Sequence, residues 1–115
     1  MLENEPLYVI SVAARLLELH PQTLRKYERE GFVSPSRTTG NLRLYSSEDL
    51  ERLRQVKHLV EERGVNLAGV QLAMDLTERL KQVRSQVSHL SRMNDGRLEP
   101  MVQQIDDLLR MLGAM

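Results

Sequence analysis

Gln22, Arg25, Lys26 and Arg29 stand at i, i+3, i+4 and i+7, a spacing that puts side chains on one face of a helix. An amide and three cations on long side chains suit the reading of DNA. Glutamine can bond adenine in the major groove, and arginine can grip guanine or hold a phosphate. Thr23 adds a hydroxyl beside them, while Leu24 and Tyr27 lie on the opposite side. One stripe would then anchor the helix and the other would read. A solvated charged face has the same pattern, so the helix alone leaves both readings open.

A second basic group follows. Arg37 and Arg43 flank a tip containing Gly40 and Asn41, with Ser36, Thr38 and Thr39 close by and Tyr45 at the base. Guanidinium and hydroxyl groups on a hairpin tip suit phosphate and minor-groove contact. An ordinary polar turn is the plain alternative, and a preceding helix-turn-helix makes it the weaker one. His58 and Glu62 stand four apart, but two ligands do not make a metal site, and a solvated helix face is the simpler reading. His89 reads as a polar flank, and Met101, Met111 and Met115 as packing or chain-end residues. No nucleophile–base pair, metal cluster or phosphate loop is visible. The sequence therefore implies no enzyme, no cofactor and no metal.

These groups need elements to hold them. Residues 1–7 read as an acidic, frayed start and Tyr8–Ile10 as a short extended run. Ser11 is expected to cap a first helix with Ala13, Leu16 and Leu17 on its apolar face. His20-Pro21 ends it, and Pro21 fits the first position of a second helix, which closes at Gly31. His20 itself can cap that second helix. The runs Phe32–Pro35 and Leu42–Tyr45 then predict a hairpin, or wing. Ser46 and Asp49 have capping-box spacing for a third helix reaching about Arg63, with Leu50, Leu53, Val56 and Val60 inward. Asn66 is placed to cap a fourth helix. Beyond it, Ala73, Leu76, Leu80, Val83, Val87 and Leu90 alternate at spacings of three and four, a coiled-coil seam. Asn94-Asp95-Gly96 interrupts the pattern. A last amphipathic helix carries Leu98, Val102, Ile105, Leu109 and Leu112, with Pro100 in its first turn.

Composition agrees with a mainly helical chain. Of 115 residues, 41% are hydrophobic but only 3% aromatic, so the core is aliphatic. Lys+Arg and Asp+Glu are equal at 16 each. Their distribution is uneven: Arg15 to Arg43 holds six basic and three acidic residues, whereas the chain from Gly64 onward is balanced. A basic front and neutral back fit a DNA-binding head on a partner-binding tail. With no cysteine, disulfides and thiol sensing are excluded. No secretory leader or apolar run of membrane-spanning length is visible, so the expected location is cytoplasmic, at the nucleoid.

The run Thr23-Leu24-Arg25-Lys26-Tyr27-Glu28-Arg29-Glu30-Gly31, then Pro35-Ser36-Arg37 and Arg43-Leu44-Tyr45-Ser46, resembles the signature of MerR-family regulators. The resemblance spans roughly Tyr8 to Leu76. It implies a winged helix-turn-helix head, DNA contacts from Arg25, Tyr27, Arg37, Arg43 and Tyr45, and dimerisation through an antiparallel coiled coil. Tyr8–Ala14, His20–Arg25 and Gly64–Val70 are further similar to the HspR subgroup of heat-shock repressors. That likeness implies an inverted-repeat operator and the chaperone DnaK as co-repressor. The chain departs from many MerR relatives in having no effector domain or sensor cysteines after the seam.

The expected architecture is thus mainly α: a winged helix-turn-helix over 1–70 with a small β-hairpin wing, and a coiled-coil dimerisation segment over 71–115. The expected function is a dimeric repressor of chaperone genes. An effector-responsive MerR-type activator and a coiled-coil adaptor are the alternatives.

Overall fold

The computed structural model describes residues 5–115; the expected fraying of residues 1–4 lies outside that range. Strand β1 (Tyr8–Val9) leads directly into helix α1 (Ile10–Leu17). Then come α2 (Pro21–Arg29), the wing strands β2 (Ser36–Arg37) and β3 (Arg43–Tyr45), and α3 (Ser47–Lys57). Here α3 passes into a π-helical turn, His58–Glu62, followed by α4 (Leu67–Met93) and α5 (Glu99–Met111). The elements form two compact units, dividing at Lys57/His58. No helix among the described residues is long and apolar enough to cross a membrane.

In the first unit β3 is central in a three-stranded antiparallel sheet of order β1-β3-β2. Tyr8 pairs with Tyr45, and Arg37 with Arg43. Leu7 adds a further bond by donating its N–H to the Tyr45 carbonyl at 3.0 Å, so the sheet takes in a residue that the sequence read as part of a frayed start. The extended run at Tyr8 is therefore an edge strand, and this moves the helix start. Val9 is held in the ladder opposite Leu44, so α1 begins at Ile10 with no side-chain cap, and Ser11 lies exposed in the first turn. Ala13, Ala14 and Leu17 form its buried face, whereas Leu16 is 49% exposed.

The turn between α1 and α2 is tight. Glu18 takes a left-handed conformation at φ 56°, and Leu19 donates back to the Ala14 carbonyl at 2.9 Å. His20 Nδ1 then accepts from the Gln22 N–H at 3.0 Å, capping α2 ahead of Pro21. At the other end Gly31, at φ +84°, closes α2. Gly31 donates to the Glu28 carbonyl and Phe32 to that of Tyr27, each at 3.0 Å. The Phe32 and Tyr27 rings pack 5.9 Å apart across this motif. Phe32, Val33 and Pro35 are consequently core residues. The first wing strand is the later pair Ser36–Arg37, not the run Phe32–Pro35.

Helix α3 backs this assembly. Asp49 donates its N–H to Ser46 Oγ at 3.0 Å, and Ser46 donates its own to Asp49 Oδ2 at 2.9 Å, the reciprocal capping box. Leu50, Leu53 and Val56 are buried as the periodicity predicts. Arg52 reaches the Phe32 carbonyl, and Lys57 Nζ donates to the Leu17 carbonyl at 2.8 Å, closing the C-terminus of α1. Past Lys57 the bonding widens to i→i+5, with Arg63 donating to the His58 carbonyl. Leu59 becomes the buried residue in place of Val60, which is half-buried.

The second unit is two helices on a π-helical base. Asn66 Oδ1 accepts from the Gly69 N–H at 2.8 Å and caps α4. That helix runs unbroken for 27 residues. It stops at Asn94, where Asp95 and Gly96 take left-handed conformations and the Gly96 N–H reaches the Ser91 carbonyl at 2.7 Å. Helix α5 then returns antiparallel. Arg84 on α4 makes a two-pronged ion pair with Asp106 on α5, and Ser91 Oγ donates to Glu99. Val102 and Leu109 are buried. At the far end His58 Nε2 lies 3.1 Å from the Met111 carbonyl and Nδ1 lies 2.9 Å from Glu62.

Candidate nucleic-acid interface

Helix α2 presents the expected two faces. Leu24 and Tyr27 are buried, while Gln22, Lys26 and Arg29 are exposed and Thr23 and Arg25 half-buried. The stripe Gln22, Arg25, Lys26, Arg29 makes no side-chain hydrogen bond or ion pair with the described residues. Three cations held on one rigid face without internal counter-ions form a surface that an anion completes. Tyr27 belongs to the anchor of the helix, not to this stripe: its ring lies under the helix against Phe32.

The wing is differently arranged. Its tip turns through Asn41 at φ 66°, and Thr38 Oγ1 accepts from the Leu42 N–H at 3.1 Å. That hydroxyl therefore shapes the turn. Arg37 and Arg43 converge on a single acid of the second helix, Glu28. Arg37 donates to Glu28 Oε2 at 2.9 Å, and Arg43 Nε donates to Oε1. Burial opposes the charge on this carboxylate, but the hydrogen bonds from Arg43 and Arg37 outweigh it and hold its pKa below the usual range. Beneath lies Tyr45, 0% exposed, with a buried hydroxyl that has no hydrogen-bond partner among the described residues. Burial raises the Tyr45 pKa, with the charge of Glu28 acting in the same direction and Arg43, Arg37 and Arg25 against it. Tyr45, counted among the contact residues from the sequence, has its side chain buried at the base of the wing.

Glu28 is the residue that sequence reasoning missed. Its signal was a lone acid among Arg25, Lys26 and Arg29, with two arginines on the hairpin that follows. The remaining candidates are spread elsewhere. His58 and Glu62 do meet, but the other ring nitrogen of His58 faces a backbone carbonyl, and no cluster of three metal-ligating side chains occurs among the described residues. The seam residues lie along α4, with Leu76 and Leu90 each 50% exposed and Val83 also exposed.

Residues 8–77 match the family described as MerR HTH family regulatory protein. The chain belongs to this family. It is 46% identical over 101 residues to HspR of Streptomyces coelicolor, named as a heat shock protein, covering 88% of this chain and 67% of that protein. It is 36% identical over 75 residues to the transcriptional regulator GlnR of Bacillus cereus, covering 65% of this chain and 57% of that one. It is also 27% identical over 104 residues to the regulator ZntR of Escherichia coli, covering 76% and 73%. The chain thus spans between just over half and three quarters of the length of these relatives. A winged helix-turn-helix with a cationic second helix, in this family, is a DNA-binding transcriptional regulator.

Proposed function

We propose that this protein is a dimeric repressor of heat-shock genes that binds inverted-repeat operators. The observation that carries the DNA-binding part is the uncompensated stripe of Gln22, Arg25, Lys26 and Arg29 on α2. Gln22 and Arg25 read bases, Lys26 and Arg29 hold phosphate, and the wing with Arg37, Thr38 and Arg43 follows the adjoining backbone. The heat-shock part is supported by the likeness to HspR, which extends past the head over most of the chain.

Dimerisation through α4 is supported by its outer face. Leu72, Leu76, Val83 and Leu90 are exposed there, and an apolar groove of about 490 Å³ opens along Leu72, Leu76, Leu80, Leu108 and Met111. A second copy, packed antiparallel, covers this stripe and supplies the two-fold symmetry that an inverted repeat mirrors. Occlusion of the promoter then represses. DnaK is the co-repressor in this scheme: free chaperone strengthens the operator complex, and unfolded proteins titrate it away. The protein acts in the cytoplasm, at the nucleoid.

The test is binding to a chaperone-operon promoter fragment carrying an inverted repeat, with and without DnaK, across a salt series. Tight, competitor-resistant binding that DnaK strengthens is the expected result. Specific binding indifferent to DnaK removes the titration step. Weak, salt-labile binding without sequence preference removes the heat-shock assignment.

A further inference from the structure

One side chain of α2 joins the wing arginines to the helix that carries the cationic stripe. Glu28 stands three residues after Arg25, one turn along on the flank of α2. Its two oxygens take one guanidinium from each wing strand, Arg37 from β2 and Arg43 from β3. Each arginine spends only part of its fork. Arg43 gives Nε to Glu28, which leaves its two terminal nitrogens without a partner among the described residues. Arg37 gives one terminal nitrogen to Glu28 and the other to the Asn41 carbonyl at 3.3 Å. The three side chains are only partly exposed: 23% for Glu28, 35% for Arg37 and 25% for Arg43. A bidentate carboxylate holding two planar forks fixes orientation as well as distance.

We propose that Glu28 is a positioning residue for DNA recognition, which sets the wing arginines in register with Arg25 at the expense of one unit of negative charge facing the DNA. This rests on the DNA-binding reading above. Two effects of opposite sign follow. The negative charge weakens attraction to any duplex, because the sequence-independent part of binding follows net cationic contact. The fixed geometry strengthens binding to the one duplex whose phosphates and bases meet all three arginines together. Glu28 therefore lowers general affinity and raises specificity. A surface ion pair without this role contributes little, and its removal changes binding to every duplex alike.

The test begins by selecting, with the full-length wild-type protein, a preferred duplex from a randomised pool. The affinities of wild type, Glu28→Gln and Glu28→Asp are then measured for that duplex and for a scrambled duplex of equal length. For Glu28→Gln we expect the selected duplex to bind about tenfold more weakly and the scrambled one about twofold more tightly. Glu28→Asp keeps the charge but its shorter stem does not span both guanidiniums. Its scrambled-duplex affinity stays at the wild-type value while its specific affinity falls part-way. Parallel strengthening on both duplexes in Glu28→Gln, or unchanged specific binding in Glu28→Asp, overturns the proposal. Should circular dichroism show Glu28→Gln unfolded, Glu28→Asp decides alone by the same criterion. Failure to enrich any duplex overturns the DNA-binding reading itself, and the role of Glu28 with it.

Discussion

Arg25 and Lys26 are adjacent, equally charged and on the same face of α2, yet they differ in burial. Arg25 is half-buried and acts electrostatically on the buried Tyr45 together with the wing arginines, while Lys26 is exposed. A planar guanidinium fork suits a base edge, whereas a flexible ammonium acts as a point charge. Arg25→Ala should weaken binding to a selected duplex by about tenfold and relax preference at one base position. Lys26→Ala should weaken all duplexes alike and reduce the slope of log affinity against log salt by about one. Titrations at several salt concentrations separate the two, and identical behaviour of both variants would contradict this division. A structural residue gives a contrasting case. Ser46 and Asp49 each satisfy the other's backbone at the start of α3. Ser46→Ala should cost about 1 kcal/mol, seen as a lower midpoint in urea unfolding with an unchanged m-value.

At the scale of elements, what was legible in the sequence was what local chemistry decides. His20, Ser46 and Asn66 cap helices because a side-chain acceptor two or three residues ahead of an orphan N–H needs no distant partner. Pairings across 9 and 15 residues, such as those of Glu28 with Arg37 and Arg43, have no such local mark. Nor did the apolar seam on α4 reveal which face α5 covers. The face turned to α5 carries Thr77, Arg84 and Ser91 at heptad spacing, so a search for apolar periodicity passes over it. Its ion pair gives a pH signature. The Arg84 hydrogen bond and charge hold the Asp106 carboxyl below its ordinary value, outweighing burial. A depressed carboxyl stabilises the fold fully above its unfolded pKa, and that contribution is lost as pH falls through the folded one. Asp106→Asn should thus melt below wild type at pH 7. The gap should narrow as pH drops below about 3.8. Melting curves of both proteins from pH 7 to pH 2.5 check this, and a gap independent of pH would mean that shape, not charge, holds the pair.

At the scale of the whole molecule, the exposed stripe on α4 bears on whether one chain suffices. Exposed apolar residues scattered singly are ordinary, but contiguous ones mark an interface. Leu72, Leu76, Val83 and Leu90 recur along a 27-residue helix and stay exposed although α5 packs on its flank, with Leu72 and Leu76 bordering the groove that Leu108 and Met111 of α5 also line. In the proposed dimer a second copy covers them. A charge placed in the middle of the stripe should separate chains without unfolding either. Leu76→Glu with Val83→Glu should sediment as a monomer, against the dimer expected of wild type at the same concentration, with helical circular dichroism retained. Operator binding then distinguishes dimerisation from mere packing. Each monomer keeps its stripe of Gln22, Arg25, Lys26 and Arg29, so affinity for a single half-site should change little. Affinity for the full inverted repeat should fall by two orders of magnitude or more, because linking two sites multiplies binding through effective concentration, by about 10²–10⁴. If the double variant sediments as a dimer, the interface lies elsewhere. If it is monomeric yet binds the full repeat as tightly as wild type, two-fold symmetry contributes nothing to recognition and the repressor would have to act one chain at a time.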